Sequence, residues 1–422
     1  MEGWNEISLQ DLTSYVIGGD WGNNPEELIN DSTLAFCIRG SEIKEWRKNK
    51  GKTAVIRRIK QSSLDNRKLE KGNILIEISG GGPEQPVGRV LYIDEESLNT
   101  EGNLPLVCTN FFRKLQLVDS VCSKYVYYYL HYFYLNGNTI SLQGGSNNLR
   151  NLKYKDYQMT KIPLPSFTEQ KQISEKLDKL FDQIESIKKS TERIPELLKN
   201  FRQQILTYAV TGKLTDSDLN GWEKTFIGNI GKVKGGKRLP KGEELVEYNT
   251  GFPYIRARDL KEGTVLTKNL MYLLPETQEK IKNYIVNTDD VYITIVGAKI
   301  GDAGIIPSTM NNANLTENAA KITDLSEKVI PQYLALWLQA SICQLEIQQS
   351  IKSAAQGKLA LSRINKLSVY IPPLEQQQEI VSKINSLFNE LKTLEMRYNY
   401  LCEILDKLPQ AILNKAFKGK LL

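Results

Sequence analysis

Two stretches of the chain share one hydrophobic rhythm. Ile173, Leu177, Leu180, Ile184, Ile187, Thr191, Ile194, Leu198, Phe201 and Ile205 follow one another at alternating steps of 4 and 3 residues. Ile380, Ile384, Leu387, Leu391, Leu394, Tyr398, Leu401, Leu405, Leu408 and Ile412 do the same. Steps of four and three keep apolar side chains on one narrow stripe of an α-helix, and a stripe of that width is stable in water when it packs against a second one. The pattern therefore predicts two long helices that partner each other as a coiled coil. The first must lead away from one part of the chain and the second must return to it, so an intramolecular pair is antiparallel. Pro163 and Pro165, or Pro372 and Pro373, mark the helix starts, and Gly212 and Gly419 the ends. Pro195 and Pro409 fall inside the pattern; a proline there removes a backbone hydrogen bond, so a bend is expected at each.

The rhythm recurs because the chain is internally duplicated, which decides how every other segment is read. Ile162-Pro163-Leu164-Pro165, then Glu169-Gln170-Lys171-Gln172-Ile173, returns as Ile371-Pro372-Pro373-Leu374, then Gln376-Gln377-Gln378-Glu379-Ile380. Ile205-Leu206, Ala209 and Gly212-Lys213-Leu214 return as Ile412-Leu413, Ala416 and Gly419-Lys420-Leu421. The preceding regions correspond more weakly. Gly3-Trp4 answers Gly221-Trp222, Gly18-Gly19 answers Gly235-Gly236, Ile56-Arg57 answers Ile255-Arg256, and Gly72-Asn73-Ile74-Leu75-Ile76 answers Asp289-Asp290-Val291-Tyr292-Ile293. The expected architecture is α/β (α+β): globular modules over residues 1–166 and 215–373, joined by two long antiparallel coiled-coil helices in residues 167–214 and 374–422, with pseudo-twofold internal duplication.

Within the modules, residues 73–78 and 290–296 read as short strands between glycine-rich turns. Residues 123–135 and 331–347 read as amphipathic helices. Tyr125, Tyr129 and Tyr132 lie on one face of the former, and Tyr333, Leu336 and Trp337 on one face of the latter. Core packing accounts for these aromatics better than base stacking does.

Composition is that of a globular protein, with 41% hydrophobic and 25% charged residues among 422, enough for several cores. Cys37, Cys108, Cys122, Cys343 and Cys402 are scattered and never spaced Cys-x-x-Cys, so they read as reduced thiols rather than metal ligands. The single histidine, His131, sits in the apolar run from Tyr127 to Tyr134 and is expected to be packed. No basic and apolar leader follows Met1, and no stretch is apolar enough to span a membrane, so the expectation is a soluble, cytoplasmic protein. A net charge of +6 permits nucleic acid without establishing it.

Catalytic motifs are missing. Gly51-Lys52-Thr53 has Trp46 where a phosphate-binding loop needs its first glycine. The Asp/Asn-Pro-Pro-Tyr/Phe tetrad of amino-methyltransferases is absent, and the metal set is none. What the modules do offer is cations and amides beside glycines. In the first these are Arg57, Arg58 and the loop from Gln143 to Arg150, with Asn147, Asn148 and Arg150. In the second they are Lys232, Lys234, Lys237 and Arg238 around Gly235-Gly236, then Arg256, Arg258, Lys299, Gln356 and Lys358. Arg and Lys read guanine and neutralise phosphate, while Asn and Gln read adenine.

The segments Ile162-Pro163-Leu164-Pro165, Glu169-Gln170, Arg193 to Leu206 and Gly212-Lys213-Leu214 make the chain resemble the specificity subunit of type I restriction-modification enzymes. Gln376 stands where the first copy has Glu169. The resemblance implies a non-catalytic subunit whose two target-recognition domains read the halves of a split, asymmetric sequence in double-stranded DNA. It also implies docking of two modification subunits, which use S-adenosylmethionine to methylate adenine, and of restriction subunits, which use ATP and magnesium. The rival reading is a coiled-coil scaffold with two protein-binding modules and no DNA. At 1.5 Å per residue, the roughly 25 residues before the first bend span roughly 37 Å, about one turn of B-DNA. Removing one heptad from both helices together is therefore expected to shorten the preferred gap between half-sites, which methylated-motif sequencing would report; an unchanged gap would refute the helices as a ruler.

Overall fold

The computed structural model describes residues 4–82, 85–145, 149–215, 221–352 and 357–421. Its internal contacts divide the chain into one unit of Met1–Thr191 with Tyr400–Leu422 and another of Glu192–Asn399.

In the first unit, strand Asn5–Ser8 pairs antiparallel with Lys161–Leu164, placing Ile7 opposite Ile162. A four-stranded antiparallel sheet runs in the order Thr13–Gly18, Phe112–Leu117, Ile74–Glu77, Val90–Tyr92. A three-stranded sheet runs Val55–Lys60, Ser32–Ile38, Leu106–Cys108, its last two strands parallel. The second unit repeats the plan. Glu223–Phe226 pairs with Ser368–Ile371, the four-stranded sheet is Lys232–Gly235, Ala319–Thr323, Val291–Thr294, Ala303–Ile305, and the three-stranded one is Met271–Tyr272, Pro253–Ile255, Asn314–Leu315.

Ile74 to Ile76 and Val291 to Ile293 are apolar without alternation because both faces of their strands are covered. Ile74 and Ile76 enter one core while Leu75 enters another, and Val291 and Ile293 are likewise separated from Tyr292. A lysine is buried in each central sheet. Lys114 Nζ donates to the Lys68 carbonyl at 2.6 Å, and burial holds its pKa below the usual lysine value. Lys321 Nζ donates to the Asp290 carboxylate at 2.8 Å.

The topology corrects one correspondence. Ile38 pairs with Cys108 as Ile255 pairs with Leu315, and Arg39 and Arg256 each precede a 3-10 turn that ends on a carboxylate, Glu42 or Asp259. The match to Ile255-Arg256 is thus Ile38-Arg39, whereas Ile56-Arg57 lies on the neighbouring strand Val55–Lys60. Two residues are too short a signature to fix register between repeats.

Helix Ser123–Leu135 packs as expected. The Tyr125 hydroxyl donates to the Pro163 carbonyl at 2.6 Å and that of Tyr129 to Lys161 at 2.9 Å. In helix Pro331–Gln339, the Tyr333 hydroxyl and the Trp337 indole donate to the Tyr370 and Ser368 carbonyls at 2.7 and 2.9 Å. His131 lies over Tyr127, and burial lowers its pKa to about 4, so it is neutral at pH 7. Burial also pushes the Cys37 and Cys343 thiols up to about 12. Among the described residues no helix is long and apolar enough to cross a membrane.

The helix beginning at Phe167 ends at Thr191, and another runs Ile194–Val210 with Pro195 in its first turn, where a missing N–H costs nothing. The helix is therefore interrupted there. At Pro409 helix Leu374–Ala416 continues through the proline without ending. Helices pair antiparallel within each unit. In the first, Lys176 reaches the Leu421 carbonyl at 2.5 Å and Lys188 reaches Asp406 at 2.9 Å; Ile173, Leu177 and Ile184 share a core with Leu405 and Ile412, flanked by Leu180, Leu401 and Leu408. In the second, Ile205 shares a core with Ile380, Ile384 and Leu391, flanked by Leu198 and Leu387, and the Arg202 guanidinium lies 3.8 Å over the Phe388 ring. Ile194 and Tyr398 are half-buried.

The seam departs from strict heptads. Ile187, Phe201 and Leu394 are exposed at 42%, 49% and 48%, while Phe181, off the stripe, is buried and stacked on Tyr128. Near the modules the helix must face sheet and helix at once, so its buried face widens beyond the stripe of a free coiled coil.

One buried glutamine fastens helix to module in each copy. Gln170 Oε1 accepts the Cys122 N–H at 2.9 Å while its Nε2 donates to the Pro165 carbonyl at 2.9 Å. Gln377 Oε1 accepts the Ile330 N–H at 2.8 Å while its Nε2 donates to the Pro372 and Lys328 carbonyls, both at 2.8 Å. Leucine at either position would strand buried backbone groups, so Gln170→Leu and Gln377→Leu are each expected to cost about 2–4 kcal/mol. Gln378→Leu, at an exposed position, is expected to cost under about 0.5 kcal/mol in the same urea denaturation series.

Candidate nucleic-acid interface

In both units the loops that follow the strands are drawn together by the same backbone hydrogen bonds. In the first, the N–H of Thr109 donates to Ile38 at 2.9 Å, and those of Asp20, Ile78 and Leu152 donate to Cys108, Phe111 and Ile78, each at 2.8 Å. In the second, Thr316 donates to Ile255 at 3.0 Å, Lys237 to Leu315 and Ile295 to Asn318 at 2.8 Å, and Leu359 to Ile295 at 3.1 Å. Glycine is required at the closest crossing. A Cβ on Gly19 would stand 2.2 Å from the Thr109 carbonyl oxygen, and one on Gly236 2.0 Å from that of Thr316. The repeated Gly-Gly pair is thus the price of bringing these loops into one surface.

On this shared backbone the two units carry different side chains. The second unit presents Lys237, Arg258, Lys299 and Lys358, all exposed. Arg238 is exposed too, with its Nε 2.7 Å from the Glu317 carboxylate. Cations at these strand ends can neutralise phosphate, and Arg258 and Asn318 have the groups that read base edges. Lys234 and Lys232 lie instead on strand Lys232–Gly235, beside the Asp324 carboxylate at 3.8 and 3.1 Å. Gln356 lies outside the described residues.

Arg256 is not available to a ligand in the way the sequence suggested. Its Nε and NH2 both donate to the Asp259 carboxylate at 2.8 Å, and NH2 also donates to the Asn269 carbonyl at 2.6 Å. The same holds for two arginines of the first unit. Arg57 donates to the carbonyls of Trp21 and Gly22 at 3.1 and 3.3 Å, with its guanidinium 4.3 Å from the Trp21 ring centre. Arg58 donates twice to the Pro25 carbonyl, at 3.1 and 2.9 Å. These three arginines shape loops rather than project from them. Arg150 is half-buried on strand Arg150–Leu152, its Nε without a partner among the described residues. Asn147 and Asn148 lie outside the described residues.

The first unit's face carries residues that sequence reasoning passed over: Trp21, Ser41, Asn110 and Phe111, with Arg39 and Arg89 behind them. Trp21 and Phe111 are 39% and 44% exposed. Arg39 is bound to Glu42 as Arg256 is to Asp259, and Arg89 makes a bidentate pair with the buried Glu77 at 2.8 and 2.5 Å. Matching Ile38-Arg39-Gly40-Ser41-Glu42 to Ile255-Arg256-Ala257-Arg258-Asp259 would have found this face. Among the described residues no group of acidic, histidine or cysteine side chains could hold a metal ion.

A family model described as type I restriction modification DNA specificity domain matches residues 1–196 and again 220–399. The chain is 30% identical to the type I restriction enzyme EcoBI specificity subunit of Escherichia coli, over 99% of this chain and 90% of that one. It is 27% identical to the StySPI specificity subunit of Salmonella potsdam, over 100% and 89%. Among solved structures, the HsdS subunit from Thermoanaerobacter tengcongensis shares the fold with a TM-score of 0.64 at 17% identity, over 100% of this chain and 98% of that one. A chain from a structural study of complex assembly and conformational transition in the type I R-M system gives 0.73 at 16% identity, over 100% and 99%.

Two neighbouring arginines separate the roles. Arg258→Ala is expected to weaken duplex DNA binding on the order of tenfold and to leave folding intact. Arg256→Ala is expected to lower stability through the loss of its Asp259 pair. Fluorescence anisotropy on labelled duplex and urea denaturation on the same preparations distinguish the two.

Proposed function

We infer from one premise, that this chain belongs to the type I restriction-modification specificity subunits, how its parts divide the work. Each unit reads one half of a split DNA sequence through the loops at its strand ends. The observation that carries this reading is the pairing of one backbone frame with two unlike sets of side chains. The second unit offers Lys237, Arg258, Lys299 and Lys358, and the first offers Trp21, Asn110 and Phe111. Two different surfaces on one frame suit a target whose halves differ, and direct readout makes the difference specific.

The chain is a non-catalytic component. In this proposal two modification subunits supply S-adenosylmethionine and transfer its methyl group to adenine. Restriction subunits supply ATP- and magnesium-dependent cleavage, and the assembly acts in the cytoplasm. The modules extend over residues 1–166 and 215–373, and Arg57, Arg58 and Arg256 serve them by holding loops. Arg150, Lys234 and Arg238 contribute positive charge around the contacts.

Methylome sequencing tests the reading. A host carrying this chain with its modification subunits is expected to show a bipartite methylated-adenine motif that is absent from a host carrying those subunits alone. A soluble complex that yields no chain-dependent motif would overturn it.

A further inference from the structure

The reading face of the first unit is concave. A cavity of about 560 Å³ opens among its loops, within the range of roughly 300–1,000 Å³ that holds small ligands. Trp21 and Phe111, two of the more exposed large aromatics of this unit, stand at its rim, and the Glu77–Arg89 ion pair lies deeper, with side chains 1% and 18% exposed. Ser79 and Asn110 supply polar groups between them.

Two features keep this space ready for a flat occupant. Arg57 binds the Trp21 carbonyl and lies over its ring, so the indole is held against a cation. Gly40 and Gly80 bring only backbone to the wall beside Glu77, and Gly80 holds a φ of 121° that a side chain would strain. The second unit has Ala257 in place of Gly40, Arg258 in place of Ser41 and Thr294 in place of Glu77, and builds its face without this arrangement.

An aromatic rim, a polar interior and a fixed indole face match a nucleobase, which is apolar on its faces and carries donors and acceptors on its edge. A base still stacked in a duplex cannot enter a concave site. We propose that this cavity takes one base of the first unit's half-site rotated out of the helix, its faces against Trp21 and Phe111 and its polar edge toward Ser79 and Asn110. The inference rests on the reading that this unit binds duplex DNA, and it adds how one position of that half-site is chosen: by the fit of an unstacked base rather than by groove contacts alone.

The test uses the full chain with its modification subunits and duplexes carrying the motif found by methylome sequencing. At each position of the first unit's half-site the opposing base is replaced by an abasic site, which removes the cost of unpairing. At one position the loss of pairing is expected to tighten binding about tenfold, and Trp21→Ala and Phe111→Ala are each expected to abolish that gain while discrimination at the other half-site is retained. Absence of any gain overturns the inference, as does a gain that survives in both variants, which would mean that the modification subunits alone extrude the base. A complex that binds no duplex at all overturns the underlying reading instead.

Discussion

A narrow apolar stripe on a long helix is unstable in water until something covers it, and in each unit part of one stripe shares a core with part of the other. That constraint makes the second helix run back along the first and gives each unit helical segments from two distant parts of the sequence. The first unit is thereby completed by residues 400–421, whose Leu405, Ile412, Leu413, Ala416 and Phe417 sit in the same core as Ile173, Leu177 and the aromatic helix. Phe417 alone lies within 5.4 Å of Tyr125 and 5.2 Å of both Tyr129 and Tyr132, ring centre to ring centre.

The frame and the candidate face obey separate rules. The frame is held by interactions that recur in both copies: Gln170 and Gln377 bridging helix to module, Tyr125 and Tyr333 donating to the strand below, and Gly19 and Gly236 crossing a carbonyl too closely for any side chain. Each depends on burial or on backbone contact, so substitutions there are costly. The face is made of exposed side chains on loops already fixed by backbone hydrogen bonds. Ser41 and Arg258 occupy matching exposed positions, and Phe111 and Asn318 follow matching strands, so the side chain changes while the backbone hydrogen bonds stay.

Periodicity revealed the helices and their pairing, since ten consecutive seam positions leave little room for another explanation. Duplication revealed the order of elements, because segments such as Gly212-Lys213-Leu214 and Gly419-Lys420-Leu421 are too alike for accident. Sequence reasoning failed where tertiary packing overrides local pattern. Ile187, Phe201 and Leu394 obey the heptad and are exposed. At the candidate face, charge and exposure coincide only in part. Lys237, Arg258, Lys299 and Lys358 are exposed, whereas Arg57, Arg58 and Arg256 have guanidiniums bound by backbone carbonyls or a carboxylate. Sequence reasoning missed Trp21 and Phe111, because an aromatic residue in a loop is indistinguishable by composition from one in a core.

The dependence of the first unit on residues 400–421 also orders events on the ribosome. Domains emerging from the exit tunnel ordinarily fold from the amino end onward, as synthesis proceeds at roughly 5–20 residues per second. Here the body that is made first cannot close its core until Phe417 has been added, so it waits on the order of ten seconds or longer while the second body is synthesised. During that interval Tyr125, Tyr129 and Tyr132 lack their partner and offer a sticky apolar surface, a natural place for a chaperone to hold. A premature stop after the second body would release a polypeptide that looks nearly complete by length and yet lacks the final piece of its first core, and cellular proteolysis would be expected to find that end first.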